Sequence, residues 1–198
     1  MQGRERALSG PLAAGLFVVA LAALPLLVPG YDGVRQTVSE IGEAGSPARA
    51  PFTLALLLVA ACILVFASAL RQAARGLGRT TLPAWVTACC AVSVAGVGVF
   101  AYPHPLHNVF GLSELAGYQA PLVLALSWRG ASAARPLVRF SAVMAVVVWA
   151  AILINLIPLF RPPAVWPHVK PVFGLVQRSL FASWFLWCAG AGVLLRKL

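Results

Sequence analysis

The chain alternates between long apolar segments and short polar connections. Six of its segments are long enough to cross a bilayer as an α-helix, which takes about 20 mostly apolar residues. They cover residues 11–28, 51–70, 82–101, 108–128, 140–157 and 171–195. No segment has the alternation over roughly ten residues that is typical of a transmembrane β-barrel strand. The pattern predicts an all-α integral membrane protein, a six-transmembrane-helix bundle that forms one domain over residues 1–198.

The first apolar segment lies near the N-terminus, where a secretory signal peptide would also be apolar. No A-x-A-like cleavage site follows Leu27, although a cleaved signal would need one. The Pro29-Gly30 pair is instead typical of a helix end. We therefore expect this segment to be retained as the first transmembrane helix.

The longest polar connection, residues 31–50, predicts a short helix of its own. Apolar residues recur in it at helical spacing, namely Val34, Val38 and Ile41. Thr37 and Glu40 have the spacing of a capping box, in which the two residues satisfy each other's backbone groups. An amphipathic helix that lies at the membrane interface is the expected structure.

The connection before the last apolar segment holds five prolines within residues 158–171. Proline restricts the backbone, so this stretch is predicted to be stiff and largely extended. We expect it to lie as an ordered lid over the outer mouth of the bundle. It would then bring His168 towards His104 and His107.

Composition supports a membrane protein and argues against a nucleic-acid binder. The chain is 61% hydrophobic and only 10% charged, whereas a soluble domain carries about 25% charged residues. The net charge of +10 would suit a phosphate backbone. The arginines, however, stand in short connections between apolar segments, which is the usual sign of membrane orientation. We therefore expect the lipid bilayer, and no nucleic acid, as a partner.

Basic residues concentrate on one face of the predicted bundle. That face collects both termini and the connections after the second and fourth helices. It carries ten of the fifteen Lys and Arg residues: Arg4, Arg6, Arg71, Arg75, Arg79, Arg129, Arg135, Arg139, Arg196 and Lys197. The positive-inside rule places such a face in the cytoplasm. Both termini are therefore predicted to be cytoplasmic in a multi-pass protein of the cell (plasma) membrane, with all the histidines on the outer side.

The three histidines are candidate metal ligands. His104 and His107 are spaced as H-x-x-H, and His168 would supply a third imidazole. Three protein ligands and an open position are typical of catalytic zinc, and bound zinc would activate water against a lipid ester. In the alternative interpretation, the histidines cap helix ends and bind headgroups.

Two ionisable residues, Glu114 and Arg178, fall inside predicted spans, where a charge is costly unless it is paired or hydrated. Counted from the predicted helix starts, both lie roughly 9–10 Å deep at 1.5 Å per residue. We therefore predict a buried ion pair, formed directly or through one water. Asn155 and Gln177 are the expected further contacts. A functional site that uses the same pair is the alternative.

Ser39 and Glu40 are interpreted as turn and capping residues. They are also candidate catalytic residues, together with Glu114 and Arg178. Ser39 would assist a zinc-activated water if the three histidines held a metal.

Several short motifs resemble one family of membrane proteins. They are Ser39-Glu40-Ile41-Gly42, Pro103 and His107, and Gly174-Leu175-x-x-Arg178. In their order and spacing the chain resembles, over residues 11–195, a bacterial six-pass family catalogued as domain of unknown function 998. This chain has His104-Pro105 where that pattern would place an acid after Pro103. The resemblance implies a six-helix membrane fold and supplies no established activity.

Three classes of function remain open at this stage. The expected one is a multi-pass membrane protein that binds a lipid, a small ligand or a membrane partner at an outward-facing polar and histidine cluster. The first alternative is a metal-dependent intramembrane hydrolase that acts on a lipid of the outer leaflet. The second alternative is a small transporter.

Overall fold

A computed structural model describes residues 2–198, and their side chains from Arg4 onwards. Six helical segments in it are long and apolar enough to cross a membrane, which confirms the predicted all-α fold. The α-helices are α1 (Gln2–Ala7), α2 (Ser9–Ala23), α3 (Arg49–Gly76), α4 (Leu82–Val99), α5 (Pro105–Gly117), α6 (Ala120–Ser127), α7 (Arg135–Asn155), α8 (Ile157–Phe160), α9 (Trp166–Val169) and α10 (Phe173–Leu195). Short 3₁₀ helices cover Leu24–Leu27, Val38–Gly42, Ser132–Ala134 and Lys170–Val172.

Helix α3 lies at the centre of one side of the bundle and packs against α2 and α4, while α10 packs against α2 and α7. Lipid chains are as apolar as leucine, so helices in a bilayer associate through close packing rather than hydrophobicity. Glycines provide that closeness here. A Cβ on Gly117 would overlap Cys90 of α4, and a Cβ on Gly190 would overlap the ring of Phe140 on α7.

The fourth span is broken, whereas the sequence predicts one continuous helix. Helix α5 ends at Gly117 and α6 begins at Ala120, immediately before Pro121. Proline has no N–H and its ring displaces the carbonyl four residues earlier, which is that of Gly117. The Trp184 indole N–H donates to this freed carbonyl at 3.3 Å. The break is thus satisfied by a side chain of α10.

The connection after the first span does contain the predicted capping box of Thr37 and Glu40. The helix is only one 3₁₀ turn, Val38–Gly42, and its apolar residues pack against the bundle rather than forming an exposed apolar face. Ile41 is fully buried in the bundle core, whereas Val34 lies outside the helix and is exposed. The spacing of Val38 and Ile41 therefore indicated a turn whose apolar residues face the core.

The proline-rich connection is not extended, which corrects the prediction made from its prolines. It forms α8, α9 and a 3₁₀ turn, and each of these begins with a proline in its first two positions. Proline is well tolerated there, because the first N–H groups of a helix have no partner within it. The prolines thus begin short helices in this stretch.

The two ends of the bundle differ in composition. We call the end that carries both termini and residues 77–81 and 128–134 the arginine-rich end, where the Trp128 indole donates to the Thr80 carbonyl at 3.1 Å. At the opposite end, the Ala44 N–H donates to the Tyr102 carbonyl at 2.8 Å. The first and third connections of the chain therefore meet at that opposite end.

Candidate functional site

A cavity of about 550 Å³ opens at the end opposite the arginine-rich end. It lies between α5 on one side and α7 and α10 on the other, and the 3₁₀ turn Val38–Gly42 borders it. Its lining is mostly aliphatic and aromatic. Polar side chains also line it: Thr37, Ser39, His107, Asn108, Glu114, Asn155 and Gln177.

Ser39 and His107 meet in the wall of this cavity. The His107 Nε2 and the Ser39 hydroxyl oxygen are 2.9 Å apart, and the His107 Nδ1 lies 2.8 Å from the Phe100 carbonyl oxygen. A carbonyl oxygen only accepts hydrogen bonds, so Nδ1 carries the ring proton and donates it. In that tautomer Nε2 is the acceptor, and the Ser39 hydroxyl donates to it.

Arg178 of α10 holds the loop that carries Ser39. Its Nη1 donates to the carbonyl oxygens of Gly33 at 2.8 Å, Gln36 at 3.0 Å and Gly174 at 2.9 Å. Its Nη2 donates to the Tyr31 hydroxyl, which in turn donates to the Thr37 carbonyl at 2.8 Å. The planar guanidinium suits this role because it presents several donors in a fixed arrangement.

The same loop lies directly on the backbone of α10. The Leu175 N–H donates to the Val34 carbonyl at 3.2 Å. A Cβ on Gly174 would overlap three loop carbonyl oxygens, which belong to Gly33, Val34 and Gln36. The loop and α10 therefore approach so closely at Gly174 that a side chain there has no space.

This packing shifts the pKa values of two ionisable groups in the loop, Glu40 and Tyr31. Burial raises the pKa of the Glu40 carboxyl, but hydrogen bonds from Thr37 and Gln36 and the charge of Arg178 outweigh burial and leave the pKa below its usual value. Burial raises the pKa of the Tyr31 phenol, against the opposing hydrogen bond from Arg178. Glu40 is thus ionised and Tyr31 neutral at neutral pH.

Glu114 is buried in α5 and also faces the cavity. The Tyr118 hydroxyl, one turn later in the chain, donates to its Oε2 at 2.5 Å. Asn155 and Gln177, the expected further contacts of Glu114 and Arg178, line the facing wall and bond to other groups. The Asn155 amide donates to the Val176 carbonyl at 3.0 Å, and the Gln177 Oε1 accepts the Val38 N–H at 2.7 Å.

The predicted ion pair between Glu114 and Arg178 is not formed as a direct contact. Within residues 4–198, the side chains that pair as ions are Asp32 and Arg35, at 3.4 Å on the surface. Arg178 is satisfied by loop carbonyls and Glu114 by Tyr118. A similar predicted depth did not bring the two side chains together, because depth does not determine the direction in which a helix turns its residues.

The three histidines do not share one site. His104 is exposed and its Nδ1 accepts the Leu106 N–H, so it caps α5. His107 points inwards and uses both ring nitrogens, while His168 is exposed on α9. Among the described residues, no group of three or more His, Cys, Asp or Glu side chains is arranged to hold a metal ion. The fold therefore does not bring His104, His107 and His168 together as the predicted zinc ligands.

A family model described as "Protein of unknown function (DUF998)" matches residues 11–194 of the chain. The chain belongs to this family. No curated protein and no solved structure matches it.

The residues that carried the resemblance in the sequence gather at one place in the fold. Arg178 and Gly174 hold the loop, Glu40 caps its turn, and Ser39 of that turn reaches His107. Gly42 closes the turn, and a Cβ there would overlap the Phe52 ring. The short motifs of the first connection, of the first turn of α5 and of α10 thus meet at one end of the bundle.

Sequence reasoning missed several residues of the site. Tyr118 and Gln177 were not recognised as the partners of Glu114 and of the loop, and Tyr31 was not recognised as the partner of Arg178. The spacing of Tyr118 four residues after Glu114 was an available signal, because such residues are neighbours on a helix. The contacts of Tyr31 and Gln177 with distant parts of the chain had no local signal.

Proposed function

We propose that the protein binds an amphiphilic ligand of the membrane-lipid class in this cavity. The observation that carries the proposal is the division of the lining. One part of it is formed mostly by apolar side chains such as Phe17, Val94, Trp184 and Phe185, with the Glu114–Tyr118 pair as its polar exception. Most of the other polar groups lie around Ser39, His107 and Asn155. Binding sites for small molecules are mostly apolar with a few placed polar groups. An acyl chain suits the first part and an ester or headgroup the second.

The rim of the cavity supports entry of the ligand from the bilayer. Leu112 on α5 is 61% exposed and Leu159 on α8 is 67% exposed, and both line the cavity. Helix α6 packs against α7, whereas α5 packs against α4 and leaves the space in front of α7 and α10 to the cavity. An apolar rim between two spans favours a lipid chain over a water-soluble ligand.

We further propose that the cavity opens on the outer side of a bacterial plasma membrane. The arginine-rich end carries ten of the fifteen basic residues, which supports its placement in the cytoplasm. The polar groups of the cavity would then lie at the level of the outer leaflet.

Thiol labelling tests this orientation. In a variant whose four native cysteines are replaced by alanine, Ala44→Cys is expected to react with an impermeant maleimide added to intact cells. Thr80→Cys is the matched exposed position at the arginine-rich end and is expected to react only after the cells are opened. The reverse pattern would place the cavity on the cytoplasmic side.

Filling the cavity is expected to exclude the ligand. Gly111 lines the cavity, and a Cβ there meets no atom within 4 Å, so Gly111→Phe places its ring in empty space. The protein is reconstituted with a phospholipid that carries a photoactivatable diazirine in its acyl chain. Cross-links to the α10 segment 180–185 are expected to fall about tenfold, which corresponds to a loss of about 1.4 kcal/mol in binding.

Gly15→Phe is the matched control, because Gly15 also has open space around it but lies on the exposed side of α2. This variant is expected to keep the cross-links within the cavity. Equal cross-linking in the two variants, or cross-links confined to the lipid-facing surface of the bundle, would contradict the proposal.

A further inference from the structure

We propose that Ser39 and His107 act as a nucleophile and its general base, and that they cleave an ester bond of the lipid held in the cavity. This inference rests on the proposed ligand binding, because the cavity must hold the acyl chain while its ester lies at Ser39. It adds a reaction to that binding.

The geometry has the three parts that an activated serine needs. The nucleophile donates to a base, and the base is oriented by a third group. Here the Ser39 hydroxyl donates to His107 Nε2 at 2.9 Å, and the Phe100 carbonyl accepts the Nδ1 proton at 2.8 Å. The carbonyl thereby selects the tautomer whose free nitrogen faces the hydroxyl.

Both groups are held in place and reach the cavity. His107 is buried in the first turn of α5, and Ser39 is half-buried in the turn that Arg178 and Gly174 fix to α10. Ser46 of the same connection provides a contrast. Its hydroxyl donates to the Ile41 carbonyl at 2.6 Å, so its hydrogen bond supplies no base.

The side-chain amide of Gln177 would supply a donor for the developing oxyanion, because it is hydrogen-bonded to the residue before the nucleophile. The Gln177 Oε1 accepts the N–H of Val38, the residue before Ser39, at 2.7 Å. The amide nitrogen of Gln177 is therefore available as a donor. Gln177 also lines the cavity. Side-chain amides in such positions stabilise the negative oxygen of a tetrahedral intermediate.

The reaction divides into two balanced steps. Ser39 Oγ bonds to the ester carbonyl carbon while its proton moves to His107 Nε2. The bond from that carbon to the lipid alcohol oxygen then breaks, and the alcohol leaves with the proton. Water next attacks the acyl-serine while His107 Nε2 accepts one of its protons. The bond from the acyl carbon to Ser39 Oγ then breaks, the proton passes from His107 to Oγ, and a carboxylic acid leaves. The sum is one ester and one water converted into one acid and one alcohol.

A fluorophosphonate with a long alkyl chain tests the pair in the full-length protein. Ser39 Oγ would bond to phosphorus, fluoride would leave, and His107 would take the proton. We expect an adduct on Ser39 by peptide mapping and none in Ser39→Ala. His107→Gln is expected to slow labelling by about 10²-fold or more, the usual contribution of a general base. His104→Gln, an exposed histidine three residues earlier, is expected to label like the wild type.

The outcomes separate this inference from the proposed function. Absence of a Ser39 adduct, labelling of Ser46 at the same rate, or wild-type labelling of a folded His107→Gln would overturn it. If His107→Gln does not fold, the comparison of Ser39 with Ser46 in the wild type decides. Lipid cross-links in the cavity without a Ser39 adduct would leave ligand binding standing and remove the hydrolysis. Loss of cavity cross-links together with a Ser39 adduct would instead refute the binding mode.

Discussion

Replacement of Arg178 by glutamine is expected to destabilise the folded protein by about 2–3 kcal/mol. It leaves several half-buried acceptors without their donor, and a fully buried acceptor in that state would cost about 1–3 kcal/mol. The guanidinium satisfies three carbonyl oxygens and the Tyr31 hydroxyl at once. Glutamine is too short and has too few donors to replace it. Denaturant titration in mixed micelles measures the free energy of unfolding.

Two further variants separate the geometry of Arg178 from its charge. Arg178→Lys keeps the charge but concentrates its donors on one nitrogen, so it is expected to be closer to Arg178→Gln than to the wild type. Arg35→Gln removes the exposed pair with Asp32, whose side chains are 75% and 47% exposed, and is expected to cost less than about 1 kcal/mol. Wild-type stability of Arg178→Lys would show that charge alone is sufficient.

Replacement of Gly174 by alanine is expected to be comparably damaging, although it adds a single carbon. The new Cβ would overlap the carbonyl oxygens of Gly33, Val34 and Gln36. These are backbone atoms, so they cannot move aside as a flexible side chain would. Overpacking costs about 1–3 kcal/mol, and we expect the upper part of this range in the same titration.

Gly111→Ala is the matched control for Gly174→Ala, since both glycines lie in helices and a Cβ on Gly111 meets nothing within 4 Å. Alanine is favoured over glycine in a helix by about 1 kcal/mol, so the control is expected to be neutral or more stable. The two substitutions should therefore differ in sign. Equal effects would mean that the loop does not lie on α10 in the way described. Displacement of the loop in Gly174→Ala should also reduce the labelling of Ser39.

These contacts distinguish substitutions that should affect the loop from substitutions that should not. A loop held by Arg178, Gly174 and the Thr37–Glu40 capping box is a fixed part of the cavity wall. Substitutions at the residues that hold the loop are therefore expected to change both the free energy of unfolding and the labelling of Ser39. Substitutions on the exposed surface of α2, such as at Gly15, are expected to change neither.

Local properties of the sequence were sufficient for the six spans, for the capping box and for the family. A transmembrane helix satisfies its own backbone within one segment, so length and composition reveal it. The capping box joins residues three apart and is equally local. Even the broken fourth span had its cause in Pro121, which stands inside the predicted helix.

Only the tertiary structure decided which polar groups meet. Ser39 lies 68 positions from His107, and Gly33 lies 145 positions from Arg178. Hydropathy and orientation place such residues at one end of a bundle and at similar depth. The rotation of each helix about its axis and the inward fold of the loop then select the partners. For that reason the prediction grouped the histidines by spacing and by their outer position, and Glu114 with Arg178 by depth. Packing instead joined Ser39 to His107, Glu114 to Tyr118 and Arg178 to the loop.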